Sequence, residues 1–231
     1  MAVFAYGFPH RKSHVGLVQL FLKKANVAAV LLQPFVPDRL AEPPLSRGWV
    51  CHPQDLCRRF GFPYALVSHE STDAVEILKA ARARVAIILG ARVLPPEVVN
   101  SFEVGVVNVH PGCIPLNRGL DCVRWAIVNG WPQGVTAHLL SERIDYGGVI
   151  CAEEVSVWRT DGLSDLVTRV QMTEEVVMSR AIDWAMSPTP VPTIEQPPGT
   201  YHSRYSGSEV ELSAALRRYT ETRGISSPTT D

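Results

Sequence analysis

Residues 85–110 read Val-Ala-Ile-Ile-Leu-Gly-Ala-Arg-Val-Leu-Pro-Pro-Glu-Val-Val-Asn-Ser-Phe-Glu-Val-Gly-Val-Val-Asn-Val-His. A β-branched apolar run at 85–89 predicts one strand, and the run that ends in Asn108 and His110 predicts another. Side chains two apart on a strand share a face, so Asn108 and His110 point the same way at its carboxyl edge. Working outward, strands are expected at 2–6, 27–32 and 64–67. Helices are expected at 15–24, with Leu17, Val18, Phe21 and Leu22 as its apolar residues, and at 53–60 and 73–82. A proline-rich loop through Pro44 separates two of these units. Strands alternating with helices predict an α/β fold, a mostly parallel sheet with helices on both faces and right-handed crossovers. Ligands of such sheets bind beyond the carboxyl ends of the strands.

Downstream, 149–157 reads as a further strand and 162–186 as a long amphipathic helix. After Ser187 the composition changes to Pro-Thr-Pro-Val-Pro, then Pro197-Pro-Gly-Thr-Tyr-His-Ser-Arg204. That change marks a linker, followed by a short helix at 208–218 and about ten frayed terminal residues. The expected organisation is a main domain at 1–187 and a linker with a short extension at 188–231.

The composition sets further bounds. With 231 residues and 46% hydrophobic content the chain can bury a core of its own. Lys and Arg number 22 against 23 Asp and Glu, a net charge of −1, so no basic excess points to nucleic acid. The cysteines at 51, 57, 113, 122 and 151 lack paired C-x-x-C spacing, which fits a reduced, cytoplasmic protein rather than a disulfide scaffold. Pro53 turns Cys51-His52 and Cys57 into a helix start with Cys57 on the buried face, rather than a zinc site, and no metal is expected. No apolar run reaches the roughly 20 residues of a membrane helix, and no signal peptide pattern opens the chain.

The chemistry concentrates in three segments: Asn108-Val-His-Pro111 with Arg118-Gly119, Gly134-Val-Thr-Ala-His138, and Asp145-Tyr-Gly147. Together they outline a polar active site. Their order closely resembles the 10-formyltetrahydrofolate-dependent formyltransferases, whose catalytic trio is an asparagine, a histidine and an aspartate. The resemblance implies a Rossmann-like fold and assigns catalysis to Asn108, His110 and Asp145. Asn108 would donate to the developing oxyanion. His110, whose side-chain type titrates near pH 6.5, would move the proton, and Asp145 would orient the imidazole. It further implies a folate pocket along 90–99, with Arg92, Val93 and Leu94 in its wall, and puts His138 among the cofactor-side residues or behind those that line the site; otherwise His138 is a strand residue facing a polar groove. The alternative for 90–99 is an ordinary strand-to-helix connection. Arg118 is either part of the site or a solvated loop charge, and Gly119 permits an unusual backbone angle. Two departures stand out: Gly112-Cys-Ile-Pro115 replaces the usual Ser-Leu-Leu-Pro, and Cys122 stands where a proline often follows.

The formyl donor implied is 10-formyltetrahydrofolate, and three acceptors use such a site. The first loop, Gly7-Phe-Pro-His-Arg-Lys-Ser-His14, lacks the glycine- and serine-rich sequence of phosphoribosylglycinamide formyltransferases. Length after Ser187 and net charge disfavour methionyl-tRNA. Gly199-Thr-Tyr-His-Ser-Arg204 resembles a stretch of methionyl-tRNA and sugar formyltransferases. The resemblance therefore favours a sugar N-formyltransferase acting on a nucleotide-linked amino sugar, a dTDP-amino-dideoxyhexose above others. In this reading His10, Arg11, Lys12 and His14 form a basic loop facing a nucleotide diphosphate, or else a solvated one. Tyr6 and Trp125 are candidates for the acceptor groove, with Trp125 in Val-Arg-Trp-Ala-Ile also suited to the core. No nucleic-acid or membrane partner is expected. A homodimer contact, if there is one, is expected from the proline-rich C-terminal segment. The competing classes are a folate- or nucleotide-binding module without catalysis and a deformylase that passes the formyl group to water.

Overall fold

A computed structural model describes residues 1–35, 50–91, 93–141, 143, 145–188, 193–195, 197 and 199–226. Its elements in chain order are β1 (Ala2–Tyr6), α1 (Arg11–Leu22), β2 (Ala29–Gln33), α2 (Pro53–Phe60), β3 (Tyr64–Leu66), α3 (Thr72–Ala81), β4 (Val85–Ile88) and α4 (Pro96–Val99). There follow β5 (Gly105–His110), β6 (Arg118–Gly119), α5 (Cys122–Asn129), β7 (Gln133–Leu139), β8 (Val149–Val155), α6 (Leu163–Met186), β9 (Tyr201–His202) and α7 (Glu209–Arg223). The main sheet has the order β3-β2-β1-β4-β5-β7-β8, and β6 pairs with β9 separately. The pairs β1–β2, β1–β4, β2–β3 and β4–β5 are parallel and β7–β8 is antiparallel. The α/β class and the mostly parallel sheet expected from the sequence are what the structure shows.

Contacts divide the chain into two compact units, Met1–Asn108 with Met178–Val191, and Val109–Val177 with Pro192–Asp231. In the first, the strands are nearly continuous apolar runs, with Val3, Phe4, Val30, Leu31, Leu32, Ala86 and Ile87 fully buried. Such runs suit a parallel sheet covered on both faces. The strand order reverses between β1 and β4, the kind of position where open α/β sheets bind ligands. There the Ser13 hydroxyl donates to the Leu89 carbonyl at 3.0 Å and the Tyr6 hydroxyl to the Ala91 carbonyl at 3.1 Å.

Helix α1 departs from its expected form. It begins four residues earlier than the apolar period suggests, and it buries Ser13, Gly16, Leu17 and Leu20. Phe21 and Leu22 are instead exposed. Gly16 lies on the buried face, where a Cβ would strike the Leu89 side chain. The earlier start also means that the 10–14 segment is no basic loop. His10 occupies the N-cap position without a capping side-chain hydrogen bond, and burial, helped by Lys12 and Arg11, pushes its imidazole down to about 4, so it is neutral near pH 7. Helix α2 has its expected limits, with the His52 ring accepting from the Gln54 N–H at its start and Cys57 buried.

The second unit closes around Ile127, Val157, Leu166, Leu212, Ala215 and Tyr219. Helix α7 is longer than expected, running to Arg223, and opens with a Ser208–Glu211 capping box. Tyr219 anchors it by donating to the Trp131 carbonyl at 2.7 Å. The described residues after 191 thus include a packed helix, whereas the sequence drew its domain boundary at 187. The proline-rich loop at 36–44 and most of the segment at 189–198 lie outside the described residues. All five cysteines are free. Among the described residues no helix is long and apolar enough to cross a membrane.

Candidate active site

Strand β5 delivers His110 into the interior of the second unit, where its side chain is 4% exposed. Its Nδ1 lies 3.4 Å from Asp145 Oδ2 and its Nε2 is 2.9 Å from the Asn117 carbonyl. His138, fully buried on β7, places Nε2 3.4 Å from Asp145 Oδ1 and Nδ1 2.8 Å from the Leu139 carbonyl. A register shift in the β7–β8 pair falls between Ala137 and His138, at the end of the strand that carries this histidine. The two imidazoles stand edge to face with centroids 6.3 Å apart. One carboxylate is therefore flanked by two histidines.

Asp145 sits at the end of a segment held by several close approaches. Its φ is +57°, in the left-handed region that aspartate and asparagine enter more readily than other non-glycine residues. The Gly119 N–H donates to Oδ2 at 2.9 Å. Two residues on, Gly147 lies so near the end of β7 that a Cβ would collide with the Leu139 carbonyl. Burial by itself would raise the Asp145 carboxyl. The His138 hydrogen bond, the charge of His110 and the Gly119 N–H outweigh it and hold the carboxyl below its ordinary value.

Arg118 is not a solvated loop charge: its side chain is fully buried. Its Nε donates to the Asp145 carbonyl at 2.7 Å, and its terminal nitrogens reach the Pro115 and Pro197 carbonyls at 3.2 and 3.1 Å. The guanidinium carbon is 3.8 Å from the centroid of the Tyr146 ring, a cation–π contact, and the Tyr146 hydroxyl donates to the Gly199 carbonyl. Gly119 adopts φ +95°, and a Cβ there would collide with the His202 carbonyl across the β6–β9 pair. Gly119→Ala is expected to cost about 2–4 kcal/mol, read as a lowered urea midpoint, because it adds backbone strain to a clash with main chain.

The other expected site residues fall as follows. Asn108 is half-buried on β5 and shares a strand face with His110. In the first unit, between β4 and α4, Val93 is 72% exposed and Leu94 is buried; Arg92 lies outside the described residues. His138 was expected among the folate contacts, but both of its ring nitrogens face protein acceptors. Trp125 is neither core nor open groove: it stacks on His202 and donates to the Ser203 carbonyl. The sequence reading missed the contact of Cys122 Sγ with His110 Nε2, at 3.3 Å, and the role of the Asn117 carbonyl. The unusual residue at 122 was the available signal.

The profile described as Formyl transferase matches residues 17–182. A methionyl-tRNA formyltransferase of Chlorobium chlorochromatii is 32% identical over 96 residues, covering 41% of this chain and 31% of that protein. The chain thus spans about a third of the length of that relative. Among solved structures, a sugar N-formyltransferase from a Shewanella species superposes with a TM-score of 0.65 at 20% identity, covering 95% of this chain and 87% of the other. A formyltransferase from Anoxybacillus kamchatkensis, solved with UDP-4,6-dideoxy-4-formamido-L-AltNAc and tetrahydrofolate, gives a TM-score of 0.55 at 20% identity over 88% of this chain and 86% of that one. With the profile covering well over half of its length, the chain belongs to the formyl transferase family.

Proposed function

We propose that this protein is an N-formyltransferase that moves the formyl group of 10-formyltetrahydrofolate to the amine of a nucleotide-linked amino sugar. The observation that carries the chemistry is the shared carboxylate: Asp145 spans His110 Nδ1 and His138 Nε2 at 3.4 Å each, at the end of the strand that bears Asn108. The Asn108 amide donates to the oxygen of the formyl carbonyl as the acceptor nitrogen bonds to its carbon. His110 takes the proton that the acceptor nitrogen sheds, and Asp145 holds the resulting imidazolium. His110 then returns that proton to the folate nitrogen as its bond to the formyl carbon breaks, so atoms and charge balance. We assign His138 to holding Asp145, and the segment around Val93 and Leu94 to the donor side, where the exposed Val93 offers apolar surface.

The amino-sugar acceptor is supported by the near full-length similarity to sugar N-formyltransferase structures and by the sequence at 199–204. The methionyl-tRNA reading keeps support from sequence relatives, although a net charge of −1 supplies little attraction for RNA. The catalytic domain is taken as 1–187, with 188–231 as a linker and short C-terminal extension, and the enzyme as cytoplasmic. The test is a panel of 3-amino and 4-amino dTDP- and UDP-sugars, glycinamide ribonucleotide and methionyl-tRNA, each incubated with 10-formyltetrahydrofolate and read by mass spectrometry. A donor-dependent mass increase on one sugar nucleotide is expected. Transfer confined to the ribonucleotide or the tRNA overturns the acceptor assignment and keeps the chemistry. Formate release without an amine makes the protein a deformylase, and donor binding without turnover makes it a binding module.

A further inference from the structure

The two residues of β9 face opposite ways, as successive strand residues do. The His202 ring stacks on Trp125 with centroids 4.5 Å apart and tilts against Trp131 at 5.3 Å. Tyr201 turns outward and is 49% exposed. The ladder with β6 sets Tyr201 opposite Arg118 and His202 opposite Gly119, and the Arg118 and Leu120 N–H groups donate to the Thr200 and His202 carbonyls at 3.1 and 2.9 Å. The edge of the Tyr201 ring lies over Gly119, where a Cβ would come within 2.9 Å of it. The same glycine donates its N–H to Asp145 Oδ2. A half-exposed aromatic ring thus stands one residue away from the carboxylate that pairs with His110. The turn that carries Gly119 exposes two further apolar side chains, Leu116 and Leu120, at 44% and 49%.

Scattered apolar side chains on a surface need no explanation. These three sit on the short segments that fasten Asp145, and ligand sites combine apolar and aromatic walls with a few placed polar groups. The formyl transferase profile ends at residue 182, so Tyr201 stands beyond the part matched to the family. The donor side is assigned to the segment around Val93 and Leu94, inside that part, which leaves the acceptor for Tyr201. An aromatic ring takes the C–H face of a sugar against its own face, and a tyrosine does so at small conformational cost because it has only two side-chain torsions. A sugar hydroxyl pressed against such a surface loses water and gains no partner. We propose that Tyr201, with Leu116 and Leu120, forms an apolar wall against which the acceptor sugar lies, and that this wall selects deoxy amino hexoses, which carry a methyl group at C6 in place of a hydroxymethyl group. This rests on the amino-sugar reading and adds which sugars the site takes. Tyr201 sets specificity by contact with the acceptor and takes no part in moving the proton.

The test compares two dTDP-linked 4-amino sugars that differ only at C6, one with a methyl and one with a hydroxymethyl group, in initial-rate transfer from 10-formyltetrahydrofolate to the full chain's acceptor site. Wild type is expected to favour the methyl sugar by about 10–100-fold in kcat/KM. Tyr201→Ala is expected to raise the KM for the methyl sugar by about tenfold and to erase most of the preference, with the donor KM unmoved. Tyr201→Phe, which keeps the ring, is expected to recover most of that loss, and Leu120→Ser to narrow the preference. A wild type indifferent to C6 overturns the proposal. So does a Tyr201→Ala enzyme that loses rate equally on both sugars, which is what loosening Gly119 and Asp145 would produce, or one whose donor KM rises instead, since the ring would then face the folate. If Tyr201→Ala does not fold, Leu120→Ser decides, and an unchanged preference there overturns the wall. Transfer to no sugar nucleotide defeats the amino-sugar reading and this proposal with it, whereas transfer to both sugars with no dependence on Tyr201 defeats this proposal alone.

Discussion

Asp145→Asn is expected to lower kcat by about 10³–10⁴-fold while leaving donor affinity and the fold unchanged, the size of loss seen when the aspartate of a histidine–aspartate pair is neutralised. The choice of asparagine matters. At φ +57° asparagine is tolerated, whereas alanine adds backbone strain of about 1–2 kcal/mol that would confound the kinetics. The side-chain oxygen of the introduced amide can still accept from the Gly119 N–H. That oxygen also faces His110 Nδ1, so what changes is the loss of the negative charge that holds an imidazolium there, together with an amide nitrogen, which can only donate, set against His138 Nε2. Single-turnover transfer and donor binding measured on the same sample separate the two effects. His110→Ala should fall in the same range, and the double variant should be little worse than either single one, because the pair acts as a unit. An Asp145→Asn enzyme within tenfold of wild type would remove the carboxylate from the proposed chemistry.

Arg118→Ala is expected to be the most damaging substitution for stability, at about 3–5 kcal/mol. Removal of the guanidinium strands the carbonyls of Pro115, Asp145 and Pro197 and uncovers one face of Tyr146. Each buried acceptor left unpaired costs roughly 1–3 kcal/mol, and the carbonyls do not all relax toward water. For a chain of this size a loss of that order lowers Tm by about 10–15 °C. Arg118→Lys should recover less than half of the difference, since one ammonium on a flexible stem cannot span three carbonyls in the plane of a guanidinium. Thermal unfolding of the two variants beside wild type measures this directly. A drop of under 3 °C for Arg118→Ala would show that the buried charge is as costly to fold as its contacts are favourable.

Most strands and helices were legible because apolar period and turn residues agree along the first half of the chain. Helix α1 shows where that reading fails. Its buried face includes Ser13 and Gly16, chosen for a hydrogen bond and a close approach, and neither registers as apolar. The trio proposed at 108, 110 and 145 came only from family resemblance; the structure joins His110 to Asp145 and sets Asn108 on the same strand as His110. The second histidine's hold on Asp145, the carbonyl of Asn117 and the thiol of Cys122 were not legible, because main-chain acceptors have no side-chain signature and a single cysteine has many explanations. Arg118 was ambiguous for a related reason: an arginine bound entirely by carbonyls leaves no acidic partner in the sequence to announce it.

The reach of Arg118 to Pro197 bears on how such chains can be recombined. The composition break after Ser187 looks like a seam at which one tail could be exchanged for another. Yet the carbonyl of Pro197, the carbonyl of Gly199 and the β9 strand all fasten the loop that presents Asp145. A graft that respects the seam but alters 197–202 would change the loop of Asp145 without touching any residue of the proposed trio, so a chimera intended to vary only the C-terminal tail must carry this stretch along with residues 115–119 and 145–147 as one inherited block.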